Sequence, residues 1–331
     1  MTLRICTYNV EHFNRLFISG DNQLDLPKAQ TRLDALQQIL QAVDADVIGI
    51  VEAPNTQANG PEDTVTRLQN FANAIGIRAN QAVMGYVSRG AQELAVLHDP
   101  QVQVQHQPGG QADNSGNPPF NGQFLFDTDD DTIKEVYEHY RPPLEVSVNG
   151  GGHQFQLIVA HTKTKGIFNS VDVAHWELEN MRARRKLLAE CTWIRQRVEE
   201  WLGQNLQVVV VGDFNDGPGM DYYEHKLGKS AMEIVMGDLF KPDEILVNLA
   251  QRPQWKRSAG GWKPSTTRFK DRFTHDYVTV MIDHIMSSQG LPFAPNNPHR
   301  IWNPYEDAAL QDMKQVFTTA SDHFPVTLDL L

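Results

Sequence analysis

Short runs of β-branched and aliphatic residues that stop abruptly at a polar residue constrain the fold of this chain more than any other feature. They occupy residues 3–8, 47–51, 94–97, 155–160, 208–211 and 278–282. Continuous apolar runs of this length fit strands buried on both faces. Just past or beside them stand Asn9, Glu52, His161, Asp213 and Asp283, and Glu93 precedes its own run. Between the runs lie apolar stripes at helical spacing. Residues 28–43 carry Ala29, Leu33, Leu36, Ile39, Leu40 and Val43, and residues 64–75 carry Val65, Leu68, Phe71, Ala72 and Ile75. The longest stripe, 174–202, includes Leu188, Cys191, Ile194 and Val198. Helices alternating with buried strands predict α/β layers. Loops are expected at 106–122, 149–152 and 289–304, where Gly, Pro and Asn cluster. None reads as a linker, because strand-like runs soon resume, so one domain over 1–331 is expected. No period of 20–50 residues is visible, which excludes a solenoid or propeller.

A chain of 331 residues buries a sizeable core unaided. The two cysteines, Cys6 and Cys191, exclude a disulfide framework. No apolar stretch approaches the roughly 20 residues of a membrane helix. The opening MTLRICTYNVEHF reads as a strand rather than a signal core. A soluble, cytoplasmic protein is expected, with an exported precursor left open, and no obligate protein partner is evident. The 29 Lys and Arg against 41 Asp and Glu give a net charge of −12. That balance opposes non-specific binding to nucleic acid unless a cation or a local basic patch reverses the field.

Asn9, Glu11, Glu52, Glu93, His161, Asp213, Asn215, Asp283, Asp322 and His323 are acidic, amide or imidazole groups beside strand runs. Such groups are costly inside a sheet protein unless paired or bound to metal. If the runs are neighbouring strands, these groups can gather on one rim. Carboxylate and amide oxygens suit hard cations such as Mg2+, and imidazoles beside carboxylates suit general acid–base work. The mixture points to metal-assisted attack on a phosphate.

In chain order the local sequences are TYNVE (7–11), IVEA (50–53), RPPLEV (141–146), AHTKTKG (160–166), VVGDFND (210–216), IDHI (282–285) and SDHFPV (321–326). Together they resemble the endonuclease/exonuclease/phosphatase superfamily, the deoxyribonuclease-I-like fold, across residues 3 to 330. The resemblance implies a four-layer α/β sandwich: two packed mixed β-sheets flanked by helices. It implies a Mg2+- or Mn2+-dependent phosphoesterase. Glu52 resembles the principal metal ligand, Asp322 another metal-side carboxylate, and Asn9 the amide that organises metal and phosphate oxygens. Glu11 sits where some members carry a second acidic ligand and others do not. His323 looks like the imidazole that activates water or contacts phosphate, oriented by Asp283. Asp213 and Asn215 resemble the pair that positions nucleophile and phosphate. His161 resembles a histidine found in part of the superfamily, a candidate acid for the leaving group, and Glu93 the carboxylate that orients it.

Other features have two readings each. Arg141 is a phosphate contact or a structural ion-pair partner. Lys163 and Lys165 are phosphate binders or solvated loop lysines. Asp127, Asp129, Asp131 and Glu138 are a solvated acidic loop or, by their offsets, a Ca2+ loop, with Thr132 where the sharp-turn glycine belongs. Residues 252–273 interleave seven Lys/Arg with Trp255, Trp262, Phe269 and Phe273, a pattern able to hold phosphate and stack bases. Arg182, Arg184, Arg185 and Lys186 read as a solvated helix face. The expected substrate is a phosphodiester, with nucleic acid favoured by the 252–273 pattern and opposed by the net charge. The alternatives are a lipid head group or a small inositol-type phosphate. A binding protein without catalysis would have lost the metal Glu or the terminal Asp-His pair, and neither is lost.

Overall fold

The chain is described by a computed structural model that covers residues 2–56, 59–110, 117–167, 172–251, 264–271 and 274–331. The strands are β1 (Leu3–Asn9), β2 (Val47–Ala53), β3 (Gln81–Met84), β4 (Glu93–His98), β5 (Gln103–His106), β6 (Phe124–Phe126), β7 (Glu135–Tyr137) and β8 (Leu144–Gly150). They continue as β9 (His153–His161), β10 (Val208–Asp213), β11 (Thr267–Lys270), β12 (Tyr277–Val280), β13 (Asp283–Ser287), β14 (His299–Ile301) and β15 (Val326–Leu330). The helices are α1 (Leu26–Val43), α2 (Pro61–Ile75), α3 (Val173–Gly203), α4 (Tyr222–Leu227), α5 (Ala231–Met236) and α6 (Lys314–Ala320).

Two mixed sheets result, ordered β14-β15-β1-β2-β4-β3 and β13-β10-β9-β8-β5, with separate ribbons β11-β12 and β6-β7. The period of two along each strand decides what goes where. On β2, Val47 and Val51 face the second sheet, while Ile48 and Ile50 face α1 and α2. On β10, Val209 and Val211 meet the first sheet, while Val208 and Val210 pack under α3 and α5. Three apolar layers therefore separate four structural layers, the expected sandwich. Gly49 sits where the sheets approach most closely. A Cβ there would lie 2.9 Å from Val211 Cγ2 and 3.2 Å from Val159 Cγ2.

The helices end where their sequences say. Pro61 opens α2 with Glu62 and Asp63 in its first turn, and Gly76 closes it in the left-handed region (φ 66). Asp172 caps α3 by accepting from the His175 amide. No helix among the described residues is long and apolar enough to cross a membrane.

Two expectations are corrected. The run 278–282 is not one strand: β12 stops at Val280, and Asp283 opens β13 in a different sheet. Residues 289–304 are not all loop, because His299–Ile301 pairs with β15 as an edge strand.

Candidate active site

Strand direction gathers the polar groups. β1 runs parallel to β2, and β9 parallel to β10, so their C-terminal ends coincide. The antiparallel neighbours β15, β4, β8 and β13 begin at that same end. In the second sheet Asp213 stands in register with His161 on one side and Asp283 on the other. The first sheet contributes Asn9 at the end of β1, Glu52 near the end of β2, and His323 just before β15.

Backbone strain aims these groups. Glu52 has φ 61, and the β2–β4 register shifts between Val51 and Ala53. This bulge takes Glu52 out of the strand's alternation, a device common beside active sites. Gly212 has φ 138, and a Cβ there would lie 2.0 Å from the carbonyl oxygen of Ala160, so only glycine can precede Asp213. Asn215 has φ 49. Its amide N–H donates to Asp213 Oδ1 at 2.8 Å, and its Nδ2 donates to the Thr162 carbonyl at 3.1 Å.

The two sheets are tied together across the rim. Asn9 Nδ2 donates to Asp213 Oδ2 at 3.1 Å. His323 Nδ1 lies 2.8 Å from Asp283 Oδ2, which leaves Nε2 facing inward, 3.9 Å from Asp213 Oδ2 and 3.7 Å from Asp322 Oδ1. His161 Nε2 lies 3.6 Å from the same Asp213 oxygen. Ser321 holds the loop in place: its Oγ donates to the Asn9 carbonyl and accepts from the His323 amide. Asp213 is thus flanked by two imidazoles.

Burial and crowding set the charge states. Burial, and next the charge of Asp283, push the Asp213 carboxyl up to about 7. Burial opposes charge on His323, but Asp283, Asp213 and Asp322 outweigh it and push the imidazole up to about 10. Burial, with Arg141 and His323 assisting, holds His161 well below the ordinary histidine value. Asp322 is raised by burial; His323 counteracts this, and the charges of Glu11, Glu52 and Asp283 add to it. Those couplings place Glu11 and Glu52 in the field of Asp322.

The remaining candidates fall into place less uniformly. Glu52 accepts from the His12 amide at 2.7 Å. Glu93 is buried and accepts from the Ser88 amide at 2.8 Å. Among the described residues it makes no hydrogen bond to His161, whose Nδ1 has no partner. Arg141 Nη2 donates to Gln92 Oε1 at 2.5 Å, and its charge is felt by Glu93, His161, Lys163 and Glu190. The Lys163 amide donates to Glu190 at 2.7 Å, which anchors the loop after His161. Gln92 escaped the sequence reading. Its Nε2 donates to Glu52 at 2.6 Å while its Oε1 receives Arg141, so one amide joins the acidic and basic flanks. Its φ of 83 is invisible in a sequence, and its position next to Glu93 is the only signal.

Two readings are corrected, and the acidic loop departs from a Ca2+ loop at its last position. Lys165 is neither solvated nor free for substrate: it pairs with Asp216 and lies 2.7 Å from Glu224 Oε1. Arg184 is buried, not part of a solvated face, and holds Asp221, Asn180 and the Lys165 carbonyl. In the acidic loop Thr132 does make the turn (φ 74), and Asp127, Asp129 and Asp131 come together. Glu138, the last expected ligand of that loop, instead pairs with Arg89 and Gln123. In the basic segment, residues 252–263 and 272–273, with Trp255, Trp262 and Phe273, lie outside the described residues.

The donor set fits a hard divalent cation. Among the described residues, Asp283 Oδ1 and Asp322 Oδ1 are buried carboxylate oxygens with no hydrogen-bond partner. Such atoms are expensive unless something cationic meets them. Oxygen donors from Asp, Glu and Asn are what Mg2+ and related ions take.

Comparison with known proteins agrees with this geometry. A profile of the Endonuclease/Exonuclease/phosphatase family matches residues 6–323. No curated protein sequence matches the chain. Truncated Caenorhabditis elegans TDP2 has a similar structure at 12% identity and a TM-score of 0.53, covering 100% of this chain and 98% of that one. A Bacteroides thetaiotaomicron mannosyl-6-phosphatase is similar at 14% identity and a TM-score of 0.51, covering 99% of each chain. D. rerio TDP2, complexed with single-strand DNA product, is similar at 12% identity and a TM-score of 0.51, covering 100% of this chain and 99% of that one. The rim of acids and imidazoles, the four-layer sandwich and the profile agree: this chain belongs to the Endonuclease/Exonuclease/phosphatase family and is a divalent-metal-dependent hydrolase of phosphoric ester bonds.

Proposed function

We propose that this chain is a nuclease-like phosphodiesterase that uses Mg2+ or Mn2+ and attacks the phosphate directly with water, with residues 1–331 acting as one catalytic domain. The observation that carries the reading is the pair of imidazoles on one carboxylate: His161 Nε2 at 3.6 Å and His323 Nε2 at 3.9 Å from Asp213 Oδ2. In-line displacement needs one proton acceptor on the attacking side and one donor on the leaving side, and this arrangement has groups for both.

Glu52, Asp322, Glu11 and the amide oxygen of Asn9 would hold the cation. Bound there, it supplies charge stabilisation on the phosphate oxygens without a proton transfer. The chain's own groups do the rest. Asp213 Oδ2, the carboxylate oxygen that both imidazole Nε2 atoms and Asn9 Nδ2 face, takes the proton of the attacking water. Asp283 orients the charged His323 ring, so the Nε2–H faces the phosphate oxygens. Asn9 Nδ2 and Asn215 position the nucleophile and the phosphate. His161 becomes more basic as anionic phosphate arrives, takes up a proton from solvent, and passes that proton to the leaving oxygen. Arg141 and Lys163 line that leaving side, and buried Glu93 steadies it.

A diester of nucleic acid is favoured because D. rerio TDP2, a structural neighbour, was solved with single-strand DNA product. A sugar phosphate is the second reading, favoured by the mannosyl-6-phosphatase neighbour. The test is a panel of plasmid DNA, RNA, abasic duplex, sphingomyelin, inositol phosphates and mannose 6-phosphate, each with Mg2+, Mn2+ and Ca2+. Cleavage of nucleic acid is expected, and its loss in His323→Ala. Turnover of mannose 6-phosphate or a lipid head group, with every nucleic acid left intact, would overturn the nuclease reading.

A further inference from the structure

We propose that the outward face of the β11–β12 ribbon, together with Tyr305, is a subsite that stacks an unpaired base of a single-stranded nucleic acid beside the scissile phosphate. The proposal rests on the nuclease reading above and names where that substrate would lie.

The ribbon is continuous with the active site. Thr267, the first residue of β11, bridges His323, and the Arg268 amide N–H donates to the Asp322 carbonyl at 2.8 Å. In the antiparallel register Arg268 stands opposite Thr279 and Lys270 opposite Tyr277. Alternation puts Arg268, Lys270, Tyr277 and Thr279 on one face, with Phe269 and Val278 on the other. That face presents two cations and an aromatic ring one residue from the strand that touches His323.

The Arg268 guanidinium lies 3.3 Å from the Tyr277 ring centroid and 4.4 Å from that of Tyr305. Lys270 reaches the Tyr277 ring at 5.5 Å, and Lys314 the Tyr305 ring at 5.6 Å. Tyr277 is 50% exposed and Tyr305 39%. Arg268 occupies part of each ring and fixes its orientation before any ligand arrives, and the part of each ring left exposed is a preformed stacking platform.

Charge points to the same occupant. Among the described residues Arg268, Lys270 and Lys314 form no ion pair with a carboxylate, although the chain carries a net −12. Elsewhere in the described residues arginines such as Arg78, Arg184 and Arg197 are matched to acids. Three unneutralised cations interleaved with tyrosines suit a phosphate backbone with splayed bases, which is how single strands are bound without a sequence code. A duplex keeps its bases stacked on one another and cannot use the rings.

The experiment measures KM and kcat for thymidine dinucleotide and for oligo-dT of six residues, with Mg2+, in the full chain. Wild type should gain affinity on lengthening. Tyr277→Ala and Arg268→Ala should remove about tenfold of that gain, Tyr277→Phe should keep it, and Lys270→Ala should lower it and flatten its salt dependence. An unchanged gain in folded Tyr277→Ala and Arg268→Ala would overturn the subsite while leaving the nuclease reading intact. Equal loss on both lengths would also overturn it, because the ribbon would then only prop Asp322. Cleavage of neither substrate by a wild type that cleaves plasmid DNA or RNA would overturn the subsite alone, and cleavage of no nucleic acid at all would sink the nuclease reading and the subsite with it.

Discussion

Two regions of this molecule bury charge, and they do so in opposite ways. Around Arg197 the books balance: its guanidinium and the Glu145 carboxylate are fully buried and paired, Gly109 N–H reaches Glu145, and Phe120 lies 5.2 Å beneath the cation. At the rim, Asp213 and Asp283 crowd around His323, Asp322 feels the charges of Asp283, Glu11 and Glu52, and His323 and Arg32 are the cations that oppose them. The first arrangement is complete within the chain. The second leaves buried oxygens unmatched and is completed by something from outside.

The comparison breaks first at the rim. Asp283→Asn and His323→Gln should each slow hydrolysis of an aryl phosphodiester by about 10²–10⁴-fold. Asp213→Asn should be as damaging to rate yet raise the melting temperature, because it relieves carboxylate crowding. Retained rates in all three would remove the rim from the chemistry. The balanced region should respond in reverse. Arg197→Ala leaves Glu145 buried and unpaired, so it should cost about 3–5 kcal/mol of stability in urea titrations. Its rate per folded molecule should stay at the wild-type level.

Cation addition sharpens the contrast. Mg2+ at a hundred times its dissociation constant should stabilise the wild type by about 2.7 kcal/mol. Glu52→Gln should shrink that increment in calorimetry, and Lys165→Met, in the balanced interior, should not. A third difference concerns histidines away from the rim. Burial holds His139 down to about 3 and His299 to about 4. Unfolded histidine takes up its proton near 6.5, so stability should fall as pH drops below that value. The slope is about 1.4 kcal/mol per pH unit for each histidine, ending near its folded value. Replacing His139 by a neutral residue of similar shape should remove one histidine's share of that slope. The smallest effect belongs to Gln92→Ala, which should cost about tenfold in rate by uncoupling Glu52 from Arg141; an unchanged rate would make the link incidental.

Much of this was legible in the chain. Strands that are apolar on both faces announce themselves, and a polar residue at the end of such a strand has few places to go except a rim. Asn9, Glu52, His161, Asp213 and His323 are expected at a rim on that logic, and the structure places them at the one end the strands share. What stayed hidden depends on backbone turns and long-range partners. The run 278–282 looked like one strand because composition cannot show that the chain changes sheets before Asp283. Arg184 looked solvated because its partner Asp221 lies 37 residues away. Gln92 carries no chemical signature, and its role comes from a left-handed backbone that places its amide between two flanks.

The bulge at Glu52 imposes a trade-off on this enzyme. A residue other than glycine in the left-handed region costs roughly 1–2 kcal/mol, and the β2–β4 pairing holds Glu52 there all the same. Glycine at 52 would relieve that cost while deleting the carboxylate proposed above to hold the cation. Under the proposed role of Glu52, stability and cation binding therefore pull this one position in opposite directions.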